Sequence, residues 1–130
     1  MSLPQSILDS FISTLGECDQ EYEFTTVRRF RFDYAWPVWK IAIEYHGGIF
    51  AKGRTGHSSI SGLLRDYEKL NHAQSLGWIV LQFAPSHIRD LQYISAMVNS
   101  AVQAQKSAGR FNQALLSAKI EYAQRNSKRK

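Results

Sequence analysis

Cysteine is almost missing from this chain: Cys18 stands alone among 130 residues, so no disulfide framework is possible and the fold must rest on its apolar core. Without a second thiol, Cys18 is expected to be a passive, reduced side chain of a cytosolic protein. Long apolar runs are absent too. None approaches the ~20 residues that span a bilayer, and Met1 to Leu15 has no basic segment leading into an uninterrupted apolar one. The expectation is a soluble, unexported protein with no membrane partner. Internal repeats and low-complexity linkers are lacking, and the three prolines, Pro4, Pro37 and Pro85, fall where elements begin or break. A chain of this length can still bury roughly two-thirds of its unfolded surface as one domain.

The formal charge is +5, with a pI near 9.5, which suggests a polyanionic partner. Its distribution is uneven. Lys119, Arg125, Lys128, Arg129 and Lys130 against Glu121 supply much of the excess. Residues 125–130 therefore read as a basic tail behind a single domain of 1–124, with a core of about 4–84 and C-terminal helices of about 86–124. Such a tail is either a solvated, disordered end or a contact to polyanions. Arg28, Arg29 and Arg31 form a second cluster, which could be a solvated strand edge or a grip on a phosphate backbone.

Ile7, Leu8, Phe11, Ile12 and Leu15 recur at helical spacing from Pro4, and Gly16 closes that segment. Glu23 to Val27 and Arg28 to Trp36 predict strands, followed by a further arm over Trp39 to His46. Gly47-Gly48 ends that arm, and 49–59 reads as a glycine-bearing loop. Ser58 or Ser59 would cap a helix over 60–76 with Ile60, Leu63, Leu64, Tyr67, Leu70 and Leu76 as its inward stripe, stopped by Gly77. The nearly continuous apolar run Trp78 to Phe83 predicts a strand buried on both faces, parallel to the arm before the helix. Helices are expected from Pro85 through Lys106 and from about Gly109 to Gln124. This order gives an α/β chain: a mixed sheet flanked by helices, with additional C-terminal helices.

The most informative residues are Asp33 and Glu44. A short turn over Pro37 to Lys40 pairs Trp36 with Ile41 and so sets Asp33 opposite Glu44. Alternation puts Phe32, Tyr34, Trp36, Ile41, Ile43 and Tyr45 on one face and Arg31, Asp33, Ala35, Ala42, Glu44 and His46 on the other. Two carboxylates this close resist joint ionisation unless a cation lies between them. A divalent metal answers that need; ion pairs with Arg31 and Lys40 on a solvated face are the plainer alternative.

The element order and the segments Arg29-Phe30-Arg31-Phe32-Asp33-Tyr34-Ala35-Trp36-Pro37, Ala42-Ile43-Glu44-Tyr45-His46-Gly47-Gly48, Gly53-Arg54-Thr55-Gly56-His57, Arg65-Asp66-Tyr67-Glu68-Lys69-Leu70-Asn71 and Leu76-Gly77-Trp78-Ile79-Val80-Leu81-Gln82-Phe83 resemble the PD-(D/E)xK nucleases with their restriction-endonuclease-like fold. Among these, the chain is similar to small phage-type endonucleases related to the very short patch repair enzyme (Vsr-like) and to EDxHD nucleases. The resemblance spans roughly Leu8 to Phe83. It implies that Asp33 and Glu44 hold the metal, Mg²⁺ or Mn²⁺, with Asp9 matching a first-helix acid. His46 stands where the family usually has its lysine, so its role is open between proton acceptor and ligand. His57 and Asp66 match the catalytic histidine and aspartate that follow the hairpin.

Counted by helical angle from Ile60, Asp66 can reach the sheet whereas Lys69 points away from it. His72 and His87 are explained by helix surface and helix N-terminus and are left out of the site. Gln82, polar in an apolar strand, is either a hydrogen-bonding member of the site or a satisfied core amide. Arg28, Arg29, Arg31, Arg54 and Lys69 are the candidate DNA contacts. The implied activity is a metal-dependent DNA endonuclease, nicking or specific for branched or junction DNA, dimeric through its C-terminal helices and acting in a bacterial cytoplasm. The alternative is a non-catalytic DNA-binding module on a degenerate nuclease scaffold.

Overall fold

The computed structural model describes residues 2–47 and 60–128. Helix α1, Leu3–Thr14, starts at Ser2, whose hydroxyl accepts from the Gln5 N–H at 3.3 Å. Pro4 suits its first turn, where no helical N–H bond is lost. Four strands follow as β1 (Asp19–Glu23), β2 (Arg31–Trp36), β3 (Ile41–Tyr45) and, after helix α2 (Ile60–Ser75), β4 (Ile79–Phe83). A 3₁₀ turn over Pro85–Arg89, helix α3 (Leu91–Ser107) and helix α4 (Gln113–Lys128) complete the chain.

The sheet runs β1-β2-β3-β4, antiparallel across the first two pairings and parallel between β3 and β4. A parallel pair needs a crossover, and α2 lies within it. One apolar cluster joins Leu8, Ile12, Tyr34, Ile43, Phe83, Ile88, Ile94 and Val98, which packs α1 and α3 on one face. A second joins Phe32, Ala35, Ala42, Ala73 and Trp78 beneath α2 on the other. The expected α/β class, with helices on both sides of a mixed sheet, is what the molecule has. Among the described residues no helix is long and apolar enough to cross a membrane.

Several expectations are corrected. The first strand begins at Asp19, before Glu23, and Glu21 within it has a positive φ of 49°. Phe32 belongs to the α2 cluster with Ala35, not to the face of Tyr34 and Ile43, so strict alternation fails between Phe32 and Tyr34. Strand β4 is the sheet edge; Ile79, Val80 and Leu81 are half-buried and Gln82 is exposed. The supposed inward stripe of α2 is largely exposed, with Ile60 78%, Leu64 52% and Tyr67 54% exposed, and Leu70 half-buried. Ala73 is the buried residue of that helix, and the sheet-facing line runs Asp66, Lys69, Ala73. Helix α3 starts later than expected because Asp90 caps it, accepting from the Tyr93 N–H at 3.1 Å. Helix α4 runs from Gln113 to Lys128, so Arg125 lies on a helix and not in a separate tail.

Candidate active site

Strands β2 and β3 pair regularly from Trp36–Ile41 to Tyr34–Ile43. One step further, side chains replace the backbone partners. The Asp33 N–H donates to Glu44 Oε2 at 3.0 Å, and the Tyr45 N–H donates to Asp33 Oδ2 at 2.7 Å. Each acid is thus tied to the other's strand, and the two carboxylates are locked as neighbours. Amide donors stabilise the ionised form, and such reciprocal bonds fix side-chain orientation without any ligand present.

Glu44 is only 8% exposed. Burial pushes its carboxyl up to about 7; the Lys69 ammonium pulls it down, and the Asp33 carboxylate pushes it up again. Lys69, on the sheet-facing line of α2, forms an ion pair with Glu44 Oε1, and its ammonium sits 5.6 Å from the Phe32 ring centroid. The expectation that Lys69 points away from the sheet is therefore wrong. It followed from measuring the helical angle against the apolar stripe, which is not the buried side. In space, the Lys69 ammonium lies beside the Glu44 carboxylate.

These groups open into a cleft of about 410 Å³ lined by Glu44, His46, Asp66, Lys69, Gln82 and His87, with apolar walls from Phe32, Tyr67, Leu70 and Phe83. His46 is held by its N–H, which donates to the Phe83 carbonyl at 2.8 Å. Its Nε2 is buried without a hydrogen-bond partner among the described residues. Gln82 lies opposite Glu44 in the β3–β4 register. His87, left out of the site on the sequence alone, also reaches this cleft: its Nδ1 accepts from the Ala84 N–H at 2.9 Å, and its ring stacks on Tyr93 at 5.4 Å. Only its place just after β4, at the strand end where the acids gather, could have signalled that.

Asp66 lines the cleft as expected. Asp9 and Asp33 do not line it; Asp33 joins it through its bonds to the Glu44 strand. Asp9 is held by Gln20 Nε2 at 3.1 Å and by a bond from the Tyr34 hydroxyl, whose pKa is driven upward by burial and by the carboxylates of Asp9 and Asp33. Among the described residues no three His, Cys, Asp or Glu side chains gather as a metal-ligand set. His57 and Arg54 lie outside the described residues. Arg28 pairs with Glu68, while Arg29 and Arg31 are exposed, Arg31 opposite Glu23 across the β1–β2 ladder.

No family model matches this chain, and no curated protein does. Among solved structures, the catalytic domain of the homing endonuclease I-Bth0305I is similar, with a TM-score of 0.60 at 15% identity, over 81% of this chain and 98% of that one. At that identity the likeness is one of fold, and the fold of this chain is accordingly a nuclease-like α/β arrangement of a mixed four-stranded sheet between helices.

Proposed function

We propose that this chain is a divalent-metal-dependent DNA endonuclease of the PD-(D/E)xK kind, akin to the Vsr-like and EDxHD enzymes. The observation that carries this reading is the reciprocal locking of Asp33 and Glu44, with Lys69 on Glu44. Two adjacent carboxylates face one ammonium, so the charge is unbalanced, and hard oxygen donors of this number suit Mg²⁺ or Mn²⁺ completed by waters and phosphate. Asp33 and Glu44 would hold the ion, with Asp9 as a further acid near Asp33. Bound there, a divalent cation would polarise the phosphoryl oxygens and lower the pKa of an attacking water.

The chain's own groups do the rest. Lys69 offsets part of the upward shift that burial imposes on Glu44 and offers positive charge to a phosphate oxygen as the phosphate arrives. His46 presents an Nε2 that has no hydrogen-bond partner among the described residues and can take a proton, and Asp66, with His57 of the neighbouring loop, provides further proton-handling groups. The apolar walls restrict water around them. The argument for a degenerate, non-catalytic scaffold was the missing lysine, and Lys69 weakens it.

The reading extends to one nuclease domain over 1–124, to branched or junction DNA as substrate, and to pairing of two copies through the C-terminal helices. The decisive experiment incubates the protein with supercoiled, linear and four-way-junction DNA in Mg²⁺, Mn²⁺ and chelator. Metal-dependent cleavage lost in Asp33→Asn is expected; DNA binding without cleavage in either metal would favour the binding module.

A further inference from the structure

Outside the cleft, two arginines converge on one aromatic seat. Phe30 is 3% exposed, and its ring carries the guanidinium carbon of Arg28 at 5.1 Å and that of Arg65 at 5.0 Å. The two arginines come from different elements, the β1–β2 connection and α2, so their convergence is a product of the tertiary fold. Phe24 stacks on Phe30 at 6.2 Å and on Phe32 at 4.1 Å, with interplanar angles of 14° and 7°. Because Lys69 lies over Phe32 and pairs with Glu44, the stacked rings carry three cations, the third of them at the cleft.

Two guanidiniums on one ring repel each other. The ring face returns a modest attraction to each, and among the described residues Glu68 pairs with Arg28. Both partners of that ion pair are about half exposed, at 45% and 53%, so it is weak and exchangeable. What remains is a pair of planar forks with unbalanced positive charge at the surface. Planar forks match phosphate oxygens two at a time, and their weak hydration keeps the cost of contact low.

We infer that Arg28 and Arg65 form a clasp for a sugar-phosphate backbone, holding a phosphate that flanks the reacting one, with Glu68 occupying Arg28 until that phosphate displaces it. The occupant is nucleic acid because Arg65 and Lys69 stand one helical turn apart on α2, close enough for one strand to reach from the clasp to the cleft. The clasp rests on the nuclease reading for its orientation toward the cleft, not for its affinity. Phosphate contacts set register and carry no sequence information, so the clasp positions the strand and does not select a sequence.

The test measures binding of a labelled duplex and a labelled single strand to full-length Asp33→Asn protein from 50 to 200 mM salt, alone and combined with Arg28→Gln, Arg65→Gln or Glu68→Gln. Each arginine variant is expected to bind several-fold more weakly, with the slope of log affinity against log salt reduced by about one. Glu68→Gln is expected to bind more tightly, because it removes the competing carboxylate. Thermal melts of the variants, all at exposed positions, check that folding is unchanged. Unaltered affinity and slope in folded Arg65→Gln would overturn the clasp, as would weaker binding by Glu68→Gln. Poly-glutamate binding as tightly as DNA, through the same arginines, would overturn the nucleic-acid assignment. Cleavage by the unsubstituted chain is scored separately. Arginine-dependent binding without cleavage refutes the nuclease reading and leaves the clasp standing; cleavage with arginine-independent binding does the reverse.

Discussion

Glu44 governs how the site responds to pH. Its folded-state pKa, about 7, lies above the ordinary value of 4.5, so the fold favours the protonated form. Its contribution to stability is full below about pH 4.5 and is lost as pH rises toward 7. A divalent cation binds the ionised form, so Mg²⁺ should raise the melting temperature more at pH 8 than at pH 5; an equal rise at both, read by thermal melts, would detach the metal from Glu44. Lys69→Met removes the ammonium that pulls this pKa down. The acidic limb of the rate profile should then move to higher pH, with turnover reduced by roughly 10²-fold or more, as for loss of a charge-stabilising donor. Asp33→Asn should keep the fold, because an amide oxygen can still accept the Tyr45 N–H, while removing the charge on which the proposed cleavage rests. At this scale the acid pair was legible, since the turn at Pro37 sets the register that brings Asp33 beside Glu44. Lys69 was not, because its contact depends on which side of α2 meets the sheet.

The elements were legible wherever a local signal marks them, as with Pro4 at the start of α1, Gly16 beyond its end and Gly77 after α2. Less legible was burial, which neighbours decide. Strand β4 looked central because it is apolar, yet it forms the edge, and most apolar positions of α2 are exposed, with Tyr67 and Leu70 reaching only the cleft wall that Asp66 and Lys69 share. The same limit applies to Gln105, an unremarked polar residue in sequence. It is fully buried, and its Nε2 donates to the Lys40 and Gly77 carbonyls, both at 2.9 Å. Those carbonyls sit just ahead of β3 and β4, so α3 fastens together the entrances of the two parallel strands. Gln105→Ala takes the side-chain donor from the Gly77 carbonyl, while the Lys40 carbonyl keeps the Ile79 N–H; a stranded acceptor costs about 1–3 kcal/mol, and the emptied core position adds to it. We expect a fall in melting temperature on the order of 10 °C, and a change within 2 °C would show that the Gly77 carbonyl finds another partner.

At the scale of the whole molecule, the described residues carry a basic seat at Arg28 and Arg65, and the sequence carries a second basic group in Arg125, Lys128, Arg129 and Lys130. A chain ending at Gln124 should bind duplex and junction DNA more weakly by the same factor and with a flatter salt dependence, because distributed lysines and arginines act by counterion release. Unchanged slopes would make that second group a solubility feature. The global arrangement could be anticipated because alternating strands and helices admit few topologies; the seat could not, since Phe30, Arg28 and Arg65 converge only in three dimensions. The cross-tie between Asp33 and Glu44 has one more consequence. Where the β2–β3 ladder stops, two amide protons end on carboxylates, so the Asp33 and Tyr45 N–H groups are built-in spectroscopic indicators. Their resonances in an ¹⁵N-labelled sample should follow the ionisation and occupancy of the site directly, giving a readout of its chemical state when no DNA is present and no bond is being cut.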